Sequence, residues 1–97
     1  MESLHTAATD RLFSALLRLS TLDECYALFE DLCTIREIRD LSQRFEVAAM
    51  LGEGKSYQEI AKKTGASTAT ICRVNKCLMY GSGGYRAALS ASSEDEK

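Results

Sequence analysis

Hydrophobic residues recur every three or four positions along most of this chain, which is the spacing of one face of an α-helix. The pattern predicts a first helix over residues 2–19, in which Phe13 and Leu17 add a second apolar stripe to the main one. An apolar surface that wide is hard to bury within so short a chain, so it predicts contact with a partner subunit. No segment has a convincing strand pattern, and the predicted fold class is all-α with five or six helices.

Capping boxes indicate where the later helices begin. In a capping box, a Ser or Thr hydroxyl accepts a hydrogen bond from the backbone N–H of a Glu three residues later. The Glu carboxylate in turn accepts one from the backbone N–H of the Ser or Thr. The boxes are Thr21–Glu24, Thr34–Glu37 and Ser56–Glu59. They predict a second helix, a long third helix that ends at Gly52 and Gly54, and a short fourth helix to Lys63. The inward-facing residues predicted for the third helix are Ile35, Ile38, Leu41, Phe45, Ala48 and Leu51.

A helix-turn-helix is predicted over residues 56–79. Ala61 is small where the two helices would cross closely, and Gly65 has no Cβ to resist a left-handed turn between them. Ser67 is a good N-cap for the second helix. The apolar residues that would hold the second helix against the first are Ile60, Ile71 and Val74. With that apolar set turned inward, the second helix presents a polar face outward.

Charge is unevenly distributed along a chain whose net charge is only −2. Residues 1–53 carry five arginines against ten acidic residues, whereas residues 55–80 carry five basic residues against Glu59 alone. A basic segment within an acidic chain is typical of an element that binds an anion such as the DNA backbone. Chance clustering of charge on a solvated face is the alternative interpretation.

The outward face of the helix-turn-helix supplies the candidate DNA contacts. Short polar side chains at the start of the second helix would allow close approach to base edges, and Arg73 and Lys76 could bind guanine or phosphate. Lys55 and Gln58 lie near the start of the first helix, where a phosphate could bind. The predicted DNA-binding residues are Lys55, Gln58, Ser67, Thr68, Ala69, Cys72, Arg73 and Lys76.

The segments LSQRFEVAAML, SYQEIAKKTGASTATICRVNKCL and MYGSGGYRAAL resemble the Trp repressor family. The resemblance is closest to the small Trp-repressor-related proteins of Gram-positive bacteria. It implies an intertwined all-α homodimer whose N-terminal helices interlock between subunits. It also implies a sequence-specific transcription regulator, acting as a repressor, that binds a two-fold-symmetric operator on double-stranded DNA.

The resemblance also locates an effector site. In Trp repressors the indole lies between an arginine of the central helix and one of the recognition helix, and Arg44 and Arg73 match these positions. Val74 stands where a glycine leaves room for the ligand, and Cys77 replaces a serine that helps to bind the amino group. Because Val74 adds bulk and a thiol is a weak hydrogen-bonding partner, we expect L-tryptophan not to be the corepressor. Any effector would be a different, unidentified small molecule.

Other classes of function have less support in the sequence. His5 is the one histidine, there is no Walker loop, and no Cys or His pair has zinc-ligand spacing, so we predict neither an enzyme nor a metal or cofactor site. A helical protein–protein interaction module that uses the same surface is the alternative to DNA binding. The four cysteines are expected to be reduced and mostly buried.

The organisation expected from the sequence is one helical domain over residues 1–90 and a disordered tail over residues 91–97. A short last helix is expected over Tyr85–Leu89, after a glycine-rich loop. No apolar run is long enough to span a membrane and no signal peptide is recognisable, so the expected location is cytoplasmic.

Overall fold

Residues 4–95 of the chain, described by a computed structural model, form six α-helices and contain no strand. The helices are α1 (Ala7–Leu17), α2 (Leu22–Leu32), α3 (Ile35–Gly52), α4 (Tyr57–Thr64), α5 (Thr68–Tyr80) and α6 (Gly84–Asp95). The all-α prediction with five or six helices is therefore confirmed. The single chain divides into two compact units, one ending at Ile38 and the other beginning at Arg39. The expectation of one domain over residues 1–90 stays a prediction for the assembled protein.

Local capping bonds start the helices of the first unit where the sequence predicts. At Thr21 the capping box is complete, because the hydroxyl accepts from the Glu24 N–H at 3.1 Å and the Glu24 carboxylate accepts from the Thr21 N–H at 3.0 Å. Thr34 and Glu37 pair in the same way at 2.8 and 3.1 Å. Hydrogen bonds to the charged form, first from the Ser20 N–H, lower the pKa of Glu24, and bonds from Thr34 lower the pKa of Glu37.

The first unit buries no residue of α1 or α2 within the single chain. Helix α1 begins at Ala7, after the N-cap Thr6, and so is shorter than the predicted 2–19; residues 1–3 lie outside the described residues. Part of its wide apolar surface is exposed, with Phe13 56% and Leu17 86% accessible. Large hydrophobic side chains of α2 are exposed as well, namely Leu22, Tyr26 and Leu32.

The second unit has a small core that fixes α4 and α5 against α3. Ile60, Ile71 and Val74 are almost completely buried, as predicted. The complete core is Val47, Ala48, Met50, Ile60, Ala66, Ile71 and Val74. Partly buried side chains from α3, α4 and α6 pack against it, namely Leu51, Ala61, Tyr85 and Leu89.

The predicted inward face of α3 is partly wrong. Ile35, Leu41 and Phe45 are exposed in the single chain, whereas Val47 and Met50 are buried. The core contacts of α3 come from its C-terminal part, so a single stripe drawn along the whole helix does not describe them. The ring of Phe45 instead lies 6.1 Å from that of Tyr85 in α6.

The turn between α4 and α5 has the conformation that the sequence predicts. The backbone of Gly65 lies in the left-handed helical region, with φ 75°, and the Gly65 N–H donates to the Ala61 carbonyl at 2.9 Å. The N-caps Ser56 and Ser67 accept from the N–H groups of Glu59 and Thr70, each at 3.1 Å. The third capping box is formed on one side only, because the Glu59 carboxylate accepts from the Ser56 hydroxyl at 3.2 Å.

Replacing Gly65 is expected to strain this turn. A Cβ at position 65 would meet no atom within 4 Å, so the cost of Gly65→Ala is the left-handed backbone alone, about 1–2 kcal/mol of unfolding free energy. Urea denaturation followed by circular dichroism measures it. Gly52→Ala is the matched control, because Gly52 is the last residue of α3 and also has open space. Equal effects of the two substitutions would contradict the prediction.

Helix α6 is longer than the sequence predicts. It extends from Gly84 to Asp95, so the backbone of residues 91–95 is helical where a disordered tail was expected, and residues 96–97 lie outside the described residues. Ala87, Ala88 and Ala91 favour the helix, since alanine has the highest helix propensity. The Arg86 Nε donates to the Leu78 carbonyl at 2.9 Å and thereby connects α6 to the last turns of α5.

Candidate nucleic-acid interface

Helix α5 has one buried and one exposed face, as a recognition helix requires. Ile71 and Val74 lie in the core. Ala69, Cys72, Arg73 and Lys76 are spaced three or four positions apart, so they share the opposite side of α5. The eight predicted DNA contacts are all exposed: Lys55, Gln58, Ser67, Thr68, Ala69, Cys72, Arg73 and Lys76. The structure therefore leaves these side chains accessible, while their role in binding DNA stays a prediction.

The approach to α4 places a basic residue beside the first turn of that helix. The Lys55 N–H donates to the Met50 carbonyl at 3.1 Å, which fixes its backbone at the exit from α3. The N-cap Ser56 follows at once and opens α4. The first N–H groups of a helix point along its axis and carry partial positive charge, so an anion near Lys55 and Gln58 would be stabilised.

One side-chain contact between α3 and the helix-turn-helix was not predicted from the sequence. Gln43 of α3 donates from its Nε2 to the backbone carbonyl of Thr64, the last residue of α4, at 3.1 Å. The two residues are 21 positions apart and partly buried. Nothing in the sequence distinguishes Gln43 from the polar residues on the solvated side of α3, because the signal is a contact between distant segments.

The four predicted effector residues have very different surroundings. Arg44 is half-buried, and Arg73 and Cys77 are exposed. Val74 is 1% exposed and packs in the core cluster with Ile60 and Ile71. The side chain that was expected to crowd a tryptophan site is thus part of the core of the second unit.

The cysteines are free thiols, as expected, but they are less buried than predicted. Cys25 and Cys33 are half-buried, while Cys72 and Cys77 are exposed on α5. The expectation of mostly buried thiols is wrong, because α5 buries only Ile71 and Val74, and α2, which carries Cys25 and has Cys33 as its C-cap, buries no residue. Within residues 4–95, no group of three or more His, Cys, Asp or Glu side chains could hold a metal ion.

The chain matches a known protein family over most of its length. The sequence profile of the family "Trp repressor protein" matches residues 7–93. This chain belongs to the Trp repressor family. The resemblance inferred from the helix-turn-helix segment is thereby confirmed. Proteins of the Trp repressor family are DNA-binding regulators that act as dimers. None of the helices described here is both long and apolar enough to cross a lipid bilayer.

Relatives in Gram-positive bacteria match this member of the Trp repressor family over nearly its whole length. The uncharacterized protein YerC of Bacillus subtilis (strain 168) is 51% identical over 99% of this chain and 92% of its own length. A crystal structure of a candidate Trp repressor from Staphylococcus aureus superposes with a TM-score of 0.89 at 47% identity, covering 93% of this chain and 90% of that one. A TrpR-like protein from Eubacterium eligens ATCC 27750 superposes with a TM-score of 0.90 at 57% identity, covering 93% of each chain.

Proposed function

We propose that this protein is a sequence-specific transcription regulator, a repressor, that binds a two-fold-symmetric DNA operator as a homodimer. The observation that carries the proposal is the two-sided α5, whose core face holds Ile71 and Val74 and whose opposite face carries Arg73 and Lys76. A helix anchored in this way can enter the major groove without exposing its own core. Membership of a family of DNA-binding regulators supports the same function.

Each of the eight predicted DNA contacts has a proposed role at the DNA surface. Ser67, Thr68 and Ala69 are short and lie where α5 begins, so they would allow the backbone to approach base edges. Arg73 would donate to a guanine edge, and Cys72 would be a small contact residue beside it. Lys55, Gln58 and Lys76 would bind phosphates, which position the motif without specifying sequence.

The first unit supports the homodimer. Leu17 and Leu22 are 86% and 78% exposed in the single chain, and neither α1 nor α2 buries a residue. Helices with no buried side chain lack the apolar contacts that stabilise short helices in water. A second copy of the chain would cover these surfaces, as in other dimers of the family.

The experiment that tests the proposal is selection of genomic DNA fragments by the purified protein near physiological salt, without added ligand. Recovery of a two-fold-symmetric motif is the expected result. Binding to that motif should weaken steeply as salt rises, because neutralised phosphates release counterions. Recovery of no motif, together with binding that is insensitive to salt, would contradict DNA recognition and favour a protein–protein interaction module.

L-tryptophan is expected to bind at least tens of fold more weakly than in a site with glycine and serine at positions 74 and 77. Overpacking at Val74 costs about 1–3 kcal/mol and the lost hydrogen bond at Cys77 about 1 kcal/mol. The buried position of Val74 supports this expectation, since its side chain would have to leave the core to make room. Isothermal titration calorimetry measures the dissociation constant. The selection experiment repeated with L-tryptophan should return the same motif. A sub-millimolar constant would overturn the prediction.

A further inference from the structure

The turn of the helix-turn-helix is attached to α3 by a directional bond as well as by apolar packing. The Gln43 Nε2 donates to the Thr64 carbonyl at 3.1 Å. We propose that Gln43 is a positioning residue for DNA recognition, which sets where α5 begins relative to α3. The inference rests on the proposed function and assigns part of its specificity to a residue outside the eight predicted DNA contacts.

The bond from Gln43 is made to a group that α4 itself leaves without a partner. The last four carbonyls of an α-helix have no N–H within the helix to accept from, and Thr64 is the last residue of α4. The Thr64 hydroxyl stabilises the same end by donating to the Ile60 carbonyl at 2.7 Å and accepting from the Ala66 N–H at 3.1 Å. Thr64 is therefore fixed by its own helix, by the turn and by α3.

The position of Thr64 determines the position of the recognition helix. Only Gly65 and Ala66 separate Thr64 from Ser67, the N-cap of α5. Ala66 is buried in the core, so this short link has little freedom. A displacement of Thr64 would therefore move Ser67 and the DNA-facing start of α5 with it.

Apolar packing alone would fix the position of α5 relative to α3 less well than packing together with the Gln43 hydrogen bond. Gln43 and Val47 are four residues apart on α3 and so share one helix face, and Val47 is fully buried against the helix-turn-helix core. Dispersion and burial are non-directional, so a packed face tolerates small rotations and shifts. A hydrogen bond weakens steeply when its distance or angle changes, so Gln43 selects one arrangement among those that the core permits.

The first test measures the anchor without DNA. Gln43→Met in the full chain keeps the length of the side chain and removes the donor. Amide hydrogen exchange by NMR should be about fivefold faster at Gly65 and Ala66, the factor for one neutral hydrogen bond. Exchange at Val47 and Ala48 should be unchanged.

Two further variants are the controls. Gln43→Lys restores a donor and should restore slow exchange, and Glu46→Met, on the exposed side of α3, should have no effect. Uniformly faster exchange through α3, α4 and α5 would mean general destabilisation and would overturn the proposal.

The second test measures the consequence for recognition. The selected duplex and a shuffled duplex of equal length and composition are titrated with the same variants. For Gln43→Met the ratio of the two affinities should fall by about fivefold for each subunit that binds, and Gln43→Lys should recover it. The ratio is insensitive to the added charge of lysine, which strengthens binding to both duplexes alike. An unchanged ratio would overturn the positioning role. If the parent protein prefers neither duplex, the proposed function fails and the inference falls with it, whereas the exchange at Gly65 and Ala66 still shows whether the anchor exists.

Discussion

Ile60→Ala is expected to lower the free energy of unfolding of the second unit by about 2–4 kcal/mol, the cost of removing a large buried aliphatic side chain. Ile60 is completely buried, and among the described residues its core contains only six other buried side chains. So few neighbours cannot collapse into the cavity without disturbing α3, α4 or α5. Urea denaturation at a fixed protein concentration measures the loss, because the stability of a dimer depends on concentration.

Two variants on α4 calibrate the result for Ile60. Ile60→Val removes one methylene and should cost about 1 kcal/mol. Lys62→Ala changes an exposed residue two positions further along and should lie within about 0.5 kcal/mol of the parent. A loss below about 1 kcal/mol for Ile60→Ala would contradict a role for Ile60 at the centre of the core.

Arg73→Ala is expected to weaken binding to the selected motif by about 1–3 kcal/mol, or roughly fivefold to 150-fold, and to relax specificity at one base pair of each half-site. Arg73 is exposed, while the neighbouring Val74 is held in the core, so the guanidinium extends from a fixed helix. Titration of motif duplexes that carry each single base-pair change identifies the position at which discrimination is lost.

Lys55→Ala is the control for Arg73→Ala. A phosphate contact carries no sequence information, so its removal should weaken binding to all duplexes alike and reduce the salt slope by about 1. A loss that depends on sequence would contradict the phosphate role of Lys55.

Dissociation of the homodimer on Arg73→Ala would show that Arg73 lies in a subunit interface and not at the DNA.

Local signals in the sequence predicted the parts of the fold that local chemistry determines. The boxes at Thr21 and Thr34 start their helices, and Gly65 provides the left-handed turn. Ile60, Ile71 and Val74 were identifiable because a helix-turn-helix has a characteristic spacing. The exposed face of α5 followed from that spacing, because the residues opposite the buried side of a helix face away from the core.

Contacts between distant segments could not be predicted in this way. Periodicity assigned Leu41 and Phe45 to the inward face of α3, but it does not show which part of a long helix meets other elements. Gln43 and Thr64 come into contact only because α3 and α4 fold together. The sequence pattern around a polar helix residue does not indicate which distant backbone group it will bind. Helix α6 was underestimated because serine and acidic residues near its end are also common in disordered segments.

The exposed apolar side chains of α1 and α2 have a consequence for how the cell could use this protein. Under the proposed assembly, these helices gain a core only when two chains meet, so folding of the first unit and association are one event. Because two chains must meet, the amount of active dimer rises more steeply than the total amount of protein while that amount is low. The abundance of the regulator would then be a signal in its own right, with newly made copies inactive until they exceed a threshold set by the dissociation constant of the pair.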